Sequence, residues 1–376
     1  MTKPNITKIV LTGGPCGGKS TAIEKIDEYF TKRGYKVISV PETATELISN
    51  GITPLNCENP FEFQKILMTL QMEKEHLFEK AASNMNYEKI IMLYDRGVLD
   101  NKGYVNDDEF NKLMKLFNTT IISQRDKYDA VFNLTTAAKG KKECYTLENN
   151  KARKDSINDA IKLDDKMIAA WTGHPHFRII DNSTDFDEKI KRLIKEIAFF
   201  LGEPEPLEIE KKYLIEYPDI NLLEQMPNCT RVEIYQTYLE SINGSERRIR
   251  ARGVDGDYIY FLTEKKKLNG LKRVEVEKRL TQKEYFTLLM QADPTRKTIK
   301  KTRYCLTINN QYFEIDIYPQ WQNKAIMEIE LSDENEVVKT PDFINIINEV
   351  TFDDAYKNYN IAFDTPSFDN FVRTRN

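Results

Sequence analysis

The sequence predicts two architectures in series: an α/β unit built on a doubly wound parallel sheet over residues 1–203, then a mostly β unit over 204–376. Three observations carry this. A glycine-rich loop at 13–21 stands between an apolar strand and a helix, and strands then alternate with helical segments. After Leu201-Gly202-Glu203-Pro204-Glu205-Pro206 the hydrophobic period changes from 3.6 to 2. A chain of 376 residues is long for one core, which agrees with two domains.

Lys8 to Leu11 (K-I-V-L) reads as a buried strand, and Thr21 to Phe30 as the helix beyond the loop. Between them Gly13, Gly14, Pro15, Cys16, Gly17, Gly18, Lys19, Ser20 and Thr21 fit G-x-x-x-x-G-K-[ST] without a mismatch. Glycines let successive N–H groups curl inward, and the helix adds the positive end of its dipole, so the loop suits phosphate. Lys19 would reach the β- and γ-phosphates of ATP or GTP, and the Ser20 hydroxyl would ligate a bridging magnesium ion.

The next strand, Tyr35 to Val40, ends at Pro41-Glu42. A carboxylate at the carboxyl end of such a strand lies on the ligand edge, so Glu42 is a candidate proton acceptor for a second substrate; a helix-capping glutamate is the alternative. Phe61 to Ala82 reads as a long helix, and Glu88 to Tyr94 as a central parallel strand closed by Asp95-Arg96-Gly97. Asp95 is placed as a second magnesium ligand acting through water, and Arg96 as a phosphate contact; a merely structural Asp-Arg pair is the alternative. Asp129 to Leu134 and Phe177 to Ile180 complete five strands. Between them a basic segment from Lys139 to Lys154, with Arg153 near its end, could close as a lid over phosphate, or be a solvated surface.

The second unit repeats one pattern. Glu208, Glu210 and Lys212 alternate in L-E-I-E-K-K, as do Arg248, Arg250 and Arg252 in R-I-R-A-R. Lys265 and Lys267, Arg273, Glu275 and Glu277, Arg303, Glu314 and Asp316, and Glu328 and Glu330 follow in later strands, mostly backed by apolar or aromatic residues. A sheet closed with its charged faces inward would make a tunnel, whose carboxylates could hold magnesium or manganese while its cations grip a polyanion. Water attack on an end phosphorus would then hydrolyse a bound triphosphate.

Two resemblances extend this reading. T-G-G-P-C-G-G-K-S-T, P-E-T-A-T-E-L-I, Y-D-R-G-V-L-D and A-W-T-G-H-P-H resemble the AAA-type P-loop domain of the nicotinamide-riboside-kinase-like family, shared with the fly TRP and TRPL translocation defect protein, over roughly residues 5 to 203. The placement of Glu42 and Asp95-Arg96 is also similar to deoxynucleoside and nucleotide kinases, which implies a base and a phosphate contact. Glu208-x-Glu210-x-Lys212 and the later R-x-R, R-x-E-x-E, K-x-R-Y, E-x-D and E-x-E strands resemble the CYTH, or triphosphate tunnel metalloenzyme, family over about 206 to 363. That resemblance implies an α+β fold with an eight-stranded antiparallel tunnel. By motif position Glu208, Glu210, Glu328 and Glu330 would bind metal, and Lys212, Arg248, Arg250, Lys265 and Arg303 would bind phosphates, with Lys212 also catalytic; Lys266 and Lys267 are alternatives to Lys265.

A net charge of −4 gives no general reason to expect a nucleic-acid partner. Five scattered cysteines fit reduced thiols, not a disulfide frame. No apolar run suggests a leader or a transmembrane segment, so the expectation is a cytoplasmic protein. Three readings follow. One is a nucleotide-binding unit joined to a metal-dependent triphosphate- or polyphosphate-hydrolysing tunnel. Another is a nucleotide-regulated protein that binds phosphoinositide or polyphosphate. The third is a small-molecule kinase with an accessory tunnel.

Overall fold

The structure, a computed structural model, describes residues 4–141, 156–203, 209–242, 245–267, 273–331 and 336–363; at 209, 266–267 and 273–276 it describes the backbone alone. Two compact units emerge, the first Met1–Pro206 with the turn Asn309–Tyr312, the second the remainder from Leu207.

In the first unit β1 (Asn5–Thr12), β2 (Lys36–Val40), β3 (Lys89–Asp95), β4 (Ala130–Leu134) and β5 (Phe177–Ile180) form a parallel sheet of order β2-β3-β1-β4-β5. Its helices are α1 (Lys19–Thr31), α2 (Thr43–Ser49), α3 (Pro60–Ser83), α4 (Asp107–Leu116), α5 (Ile121–Arg125), α6 (Ile157–Trp171) and α7 (Phe186–Phe200), with a 3-10 turn at Val98–Gly103. The five expected strands are all present. The helix after the loop begins at Lys19, two residues earlier than the periodicity places it, because the lysine and serine of the motif form its first turn. One core is made by Ile9, Leu11, Phe132 and Leu134 of the sheet against Ile26 and Phe30 of α1 and Leu193 and Ile197 of α7. Burying these side chains contributes roughly 1.5–3 kcal/mol each. The sheet is thereby fixed, and the carboxyl ends of β1 and β3 lie side by side, Leu11 opposite Asp95.

The second unit is a nine-stranded sheet of order β10-β9-β8-β7-β11-β12-β13-β6-β14. Its strands are β6 (Ile209–Glu216), β7 (Cys229–Ile242), β8 (Ser245–Val254), β9 (Asp257–Lys267), β10 (Arg273–Leu280), β11 (Ile299–Ile308), β12 (Gln311–Ile317), β13 (Lys324–Leu331) and β14 (Ile346–Glu349). The α-helices among its described residues are α8 (Ile220–Gln225), α9 (Gln282–Leu289) and α10 (Asn358–Ile361). The ninth strand corrects the expected eight. It is the four-residue β14, which pairs with β6 through a shifted register and carries no alternating pattern by which its sequence could show it. The antiparallel registers place Ile215, Phe313, Ile315, Met327 and Ile329 in one core, leaving the opposite face of those strands to charged residues.

Candidate functional site

The glycine loop follows β1 directly. Gly13 has φ +128°, and a Cβ there would stand 2.2 Å from the Leu134 carbonyl oxygen; one at Gly17 would stand 2.5 Å from the same atom. β4 therefore presses on the loop, and glycine is required at both positions. Gly18 at φ 92° is the N-cap of α1 and supplies no side-chain cap, so the first amides of the helix keep their donor capacity for a ligand. Lys19 Nζ folds back to within 3.3 Å of the Gly13 carbonyl oxygen and 3.4 Å of that of Gly14. Pro15 and Cys16 make the outer bend, Cys16 at φ 55°, while Ser20 and Thr21 lie exposed in the first turn of α1.

Glu42 and Arg96 are brought to this loop. Arg96, buried and in the left-handed region at φ 72°, donates from its backbone N–H to the Leu11 carbonyl at 3.1 Å and from Nη1 to that of Gly13 at 3.2 Å. Its Nε meets Glu42 Oε1 at 2.5 Å. Such strain in a non-glycine residue persists where surrounding contacts over-determine it. Burial pushes the Glu42 carboxyl up, but the Arg96 and Lys19 charges outweigh that and hold it at about 2. Asp95 ends β3 one strand from the loop. Arg153 lies outside the described residues, as does nearly all of the basic segment that contains it.

Three residues that sequence reasoning passed over complete the neighbourhood. Asp100, fully buried, accepts from Thr12 Oγ1 and from the Gly97 N–H at 2.7 Å, and lies 3.7 Å from Arg96. Its place in Y-D-R-G-V-L-D was a usable signal, four residues beyond the arginine. Asp164 on α6 and Lys189 on α7 contact the loop backbone itself. Neither carried a local signal, since each reads as a helix-surface charge.

In the second unit strand register decides which charges share a face. Arg248, Arg250 and Arg252 of β8 stand opposite Tyr238, Gln236 and Ile234 of β7, and opposite Thr263, Phe261 and Ile259 of β9. Lys265 pairs with Glu246, which fixes it on the arginine face. On the far side Glu328 stands between Glu314 and Lys212, and Glu330 opposite Glu210. Side chains also reach across intervening strands. Arg250 bonds Glu277 of β10 at 2.7 Å over Thr263, and Arg303 bonds Glu328 of β13 at 3.0 Å while gripping Asp316 with two bonds of 2.7 and 2.6 Å. Lys212 Nζ lies 2.7 Å from Glu328. Lys301, buried beside Arg303, pairs with Asp316 and is pushed down by burial. Burial also pushes the Arg250 guanidinium below its ordinary value; Glu277 opposes this, and Arg248, Arg252 and Arg303 reinforce it. The cations of this face are thus interleaved with the carboxylates of Glu277, Asp316 and Glu328.

The face is not charged throughout, which departs from the expectation of a wholly charged inner face. Leu214, Ile299, Ile326 and Tyr238 share it, and they pack with Tyr318 and Trp321 against Val350, Tyr356 and Ala362. These lie where the chain's last described segment covers the sheet, so burial selects apolar residues there.

Oxygen donors on this face suit a hard divalent cation. Glu210 and Glu330 are directly opposed across β6 and β13, with the Lys212 ammonium 3.8 Å from Glu210. Glu328 is already engaged by Lys212 and Arg303, and Glu208 lies outside the described residues. Among the described residues no three His, Cys, Asp or Glu side chains are gathered closely enough to hold a metal ion.

Residues 8–189 match the AAA domain family. The glycine loop just described lies within that match. No curated protein matches the chain. Among solved structures it is similar to an inorganic triphosphatase, NE1496, at 24% identity over 43% of this chain and 99% of that one, with a TM-score of 0.31. A second structure, of the hypothetical protein NE1496, matches at 26% identity over 43% of this chain and all of the other, also at 0.31. No described helix is long and apolar enough to cross a membrane.

Proposed function

We propose that the P-loop unit binds ATP or GTP with magnesium, and that the sheet unit binds a triphosphate or short polyphosphate and hydrolyses its terminal phosphoanhydride bond. The observation that carries this is the common face of Lys212, Arg248, Arg250, Lys265 and Arg303 with Glu210, Glu328 and Glu330. The arginines and lysines bind and orient the phosphates and offset charge developing on the leaving group. Glu210 and Glu330, with Glu208, would hold magnesium or manganese, which supplies Lewis acidity and an activated water when bound. Lys212, raised above its ordinary pKa by Glu328 and Glu210 against the opposing effect of burial, stays protonated beside the site.

The test is release of phosphate and pyrophosphate from ATP, GTP and tripolyphosphate, with and without magnesium or manganese. Metal-dependent turnover that falls below ~1% in Glu210→Ala and persists in Lys19→Ala is expected. Loss in Lys19→Ala alone would assign turnover to the P-loop. A second reading, phosphoryl transfer to a small acceptor, is favoured by the Glu42–Arg96 pair beside Lys19, where an ionised carboxylate could accept a hydroxyl proton. It requires turnover that depends on an added acceptor.

A further inference from the structure

Two buried side chains outside the glycine motif hold the P-loop by its backbone. Lys189, 3% exposed at the start of α7, donates from Nζ to the Gly17 carbonyl at 3.2 Å, the Thr135 carbonyl at 2.7 Å and Asn182 Oδ1 at 2.7 Å. Asp164, fully buried on α6, accepts from the Gly14 N–H at 2.8 Å and the Thr136 N–H at 3.3 Å. The lysine takes a carbonyl from each of two loops, the P-loop and the one after β4; the aspartate takes an amide from each. We propose that Lys189 and Asp164 are positioning residues that lock the P-loop in its phosphate-binding curl, and that Lys189 does so only as the ammonium ion.

The argument for the ammonium is a count of donors. Three oxygens surround Nζ, and none can donate a proton: two are carbonyls, and the third is the amide oxygen of Asn182. That orientation of Asn182 is set by its Nδ2, which donates to the Thr136 and Lys139 carbonyls at 2.8 Å each. An ammonium has three N–H donors; a neutral amine has two, and would turn a lone pair toward an oxygen. An orphaned buried acceptor is costly.

The charged groups facing Lys189 are Asp164 of α6, itself paired with Lys139, Arg192 of α7, Asp181 ahead of α7, and Lys19 of α1. Burial outweighs the two acids, and the ammonium is pushed down to about 8. A nucleotide that needs the braced loop should therefore bind with constant affinity below that pH. Above it, affinity should weaken by up to about tenfold per unit.

This inference rests on the loop being a nucleotide site, and the experiment separates the two. The affinity of the full chain for MgATP and MgGTP is measured from pH 6.5 to 9.5 in wild type and Lys189→Met, with circular dichroism as the check of folding. Expected are a wild-type affinity that declines through about pH 8, and a Lys189→Met protein that binds at least ~10-fold more weakly at pH 7 and lacks that step. Flat wild-type binding to pH 9.5 in folded protein overturns the proposal even if the variant does not fold. An equal step at the same pH in Lys189→Met also overturns it. Wild type that binds neither nucleotide at any pH removes the nucleotide reading, and the proposal with it.

Discussion

In the first unit the groups curled into the ligand loop belong to the backbone, and charged side chains act on them from behind: Asp164 on an amide, Lys189 and Arg96 on carbonyls. In the second unit the charged side chains themselves line one face of a sheet, interrupted by an apolar patch. A backbone site depends on where glycine permits the chain to go, so its weak points are shape changes. A side-chain site depends on balance among buried charges, so its weak points are deletions of one partner.

The largest expected effect tests that contrast in the sheet. Arg303→Met removes the cation shared by Glu314, Asp316 and Glu328 and leaves acids facing one another, which should lower unfolding free energy by about 3–5 kcal/mol in a denaturant titration. A loss below ~1 kcal/mol would mean that the acids are balanced elsewhere.

Gly13→Ala is the matching insult to the loop. Its Cβ meets the Leu134 carbonyl at 2.2 Å from a left-handed backbone, so nucleotide affinity should fall at least ~30-fold by calorimetry, about 2 kcal/mol. Unchanged affinity would show that the loop has room to shift.

Acid stability offers a finer distinction. Glu42 has an ordinary pKa of 4.5 and is held at about 2, so its pairing with Arg96 stabilises the folded state fully above 4.5. That stability is lost as pH falls through the folded value near 2. Glu42→Gln should cost ~1–3 kcal/mol at pH 6 and much less near pH 2, which flattens the acid limb of a stability–pH curve. An unaltered curve would show that the pair is not coupled to folding. The smallest effect is a control: Lys25→Ala, at an exposed pair with Glu28 on α1, should shift stability by less than ~0.5 kcal/mol in either direction.

Much of both candidate sites was legible because each obeys a local rule. Gly13, Gly18 and Lys19 announce themselves by spacing, and Arg248, Arg250 and Arg252 by period 2, since neighbours along the chain share one geometry. What escaped is non-local. Asp164 and Lys189 reach the loop across 150 and 172 residues, and nothing in their own helices separates them from surface charges. Lys301 stands in K-T-R-Y beside Arg303, yet only strand register shows it buried against Asp316. The apolar patch of Leu214, Ile299 and Ile326 on the charged face depends on residues near 350–362 folding over it. β14 has no pattern of its own and forms because β6 offers an edge.

The central claim is that the sheet unit binds polyanion through its own side chains, independently of the P-loop. Tripolyphosphate affinity, measured side by side in wild type, Lys19→Ala and Arg250→Ala, tests it most directly. The account predicts that Lys19→Ala binds within about twofold of wild type, whereas Arg250→Ala loses at least ~10-fold, about 1.4 kcal/mol. Loss in Lys19→Ala with Arg250→Ala unchanged would contradict it.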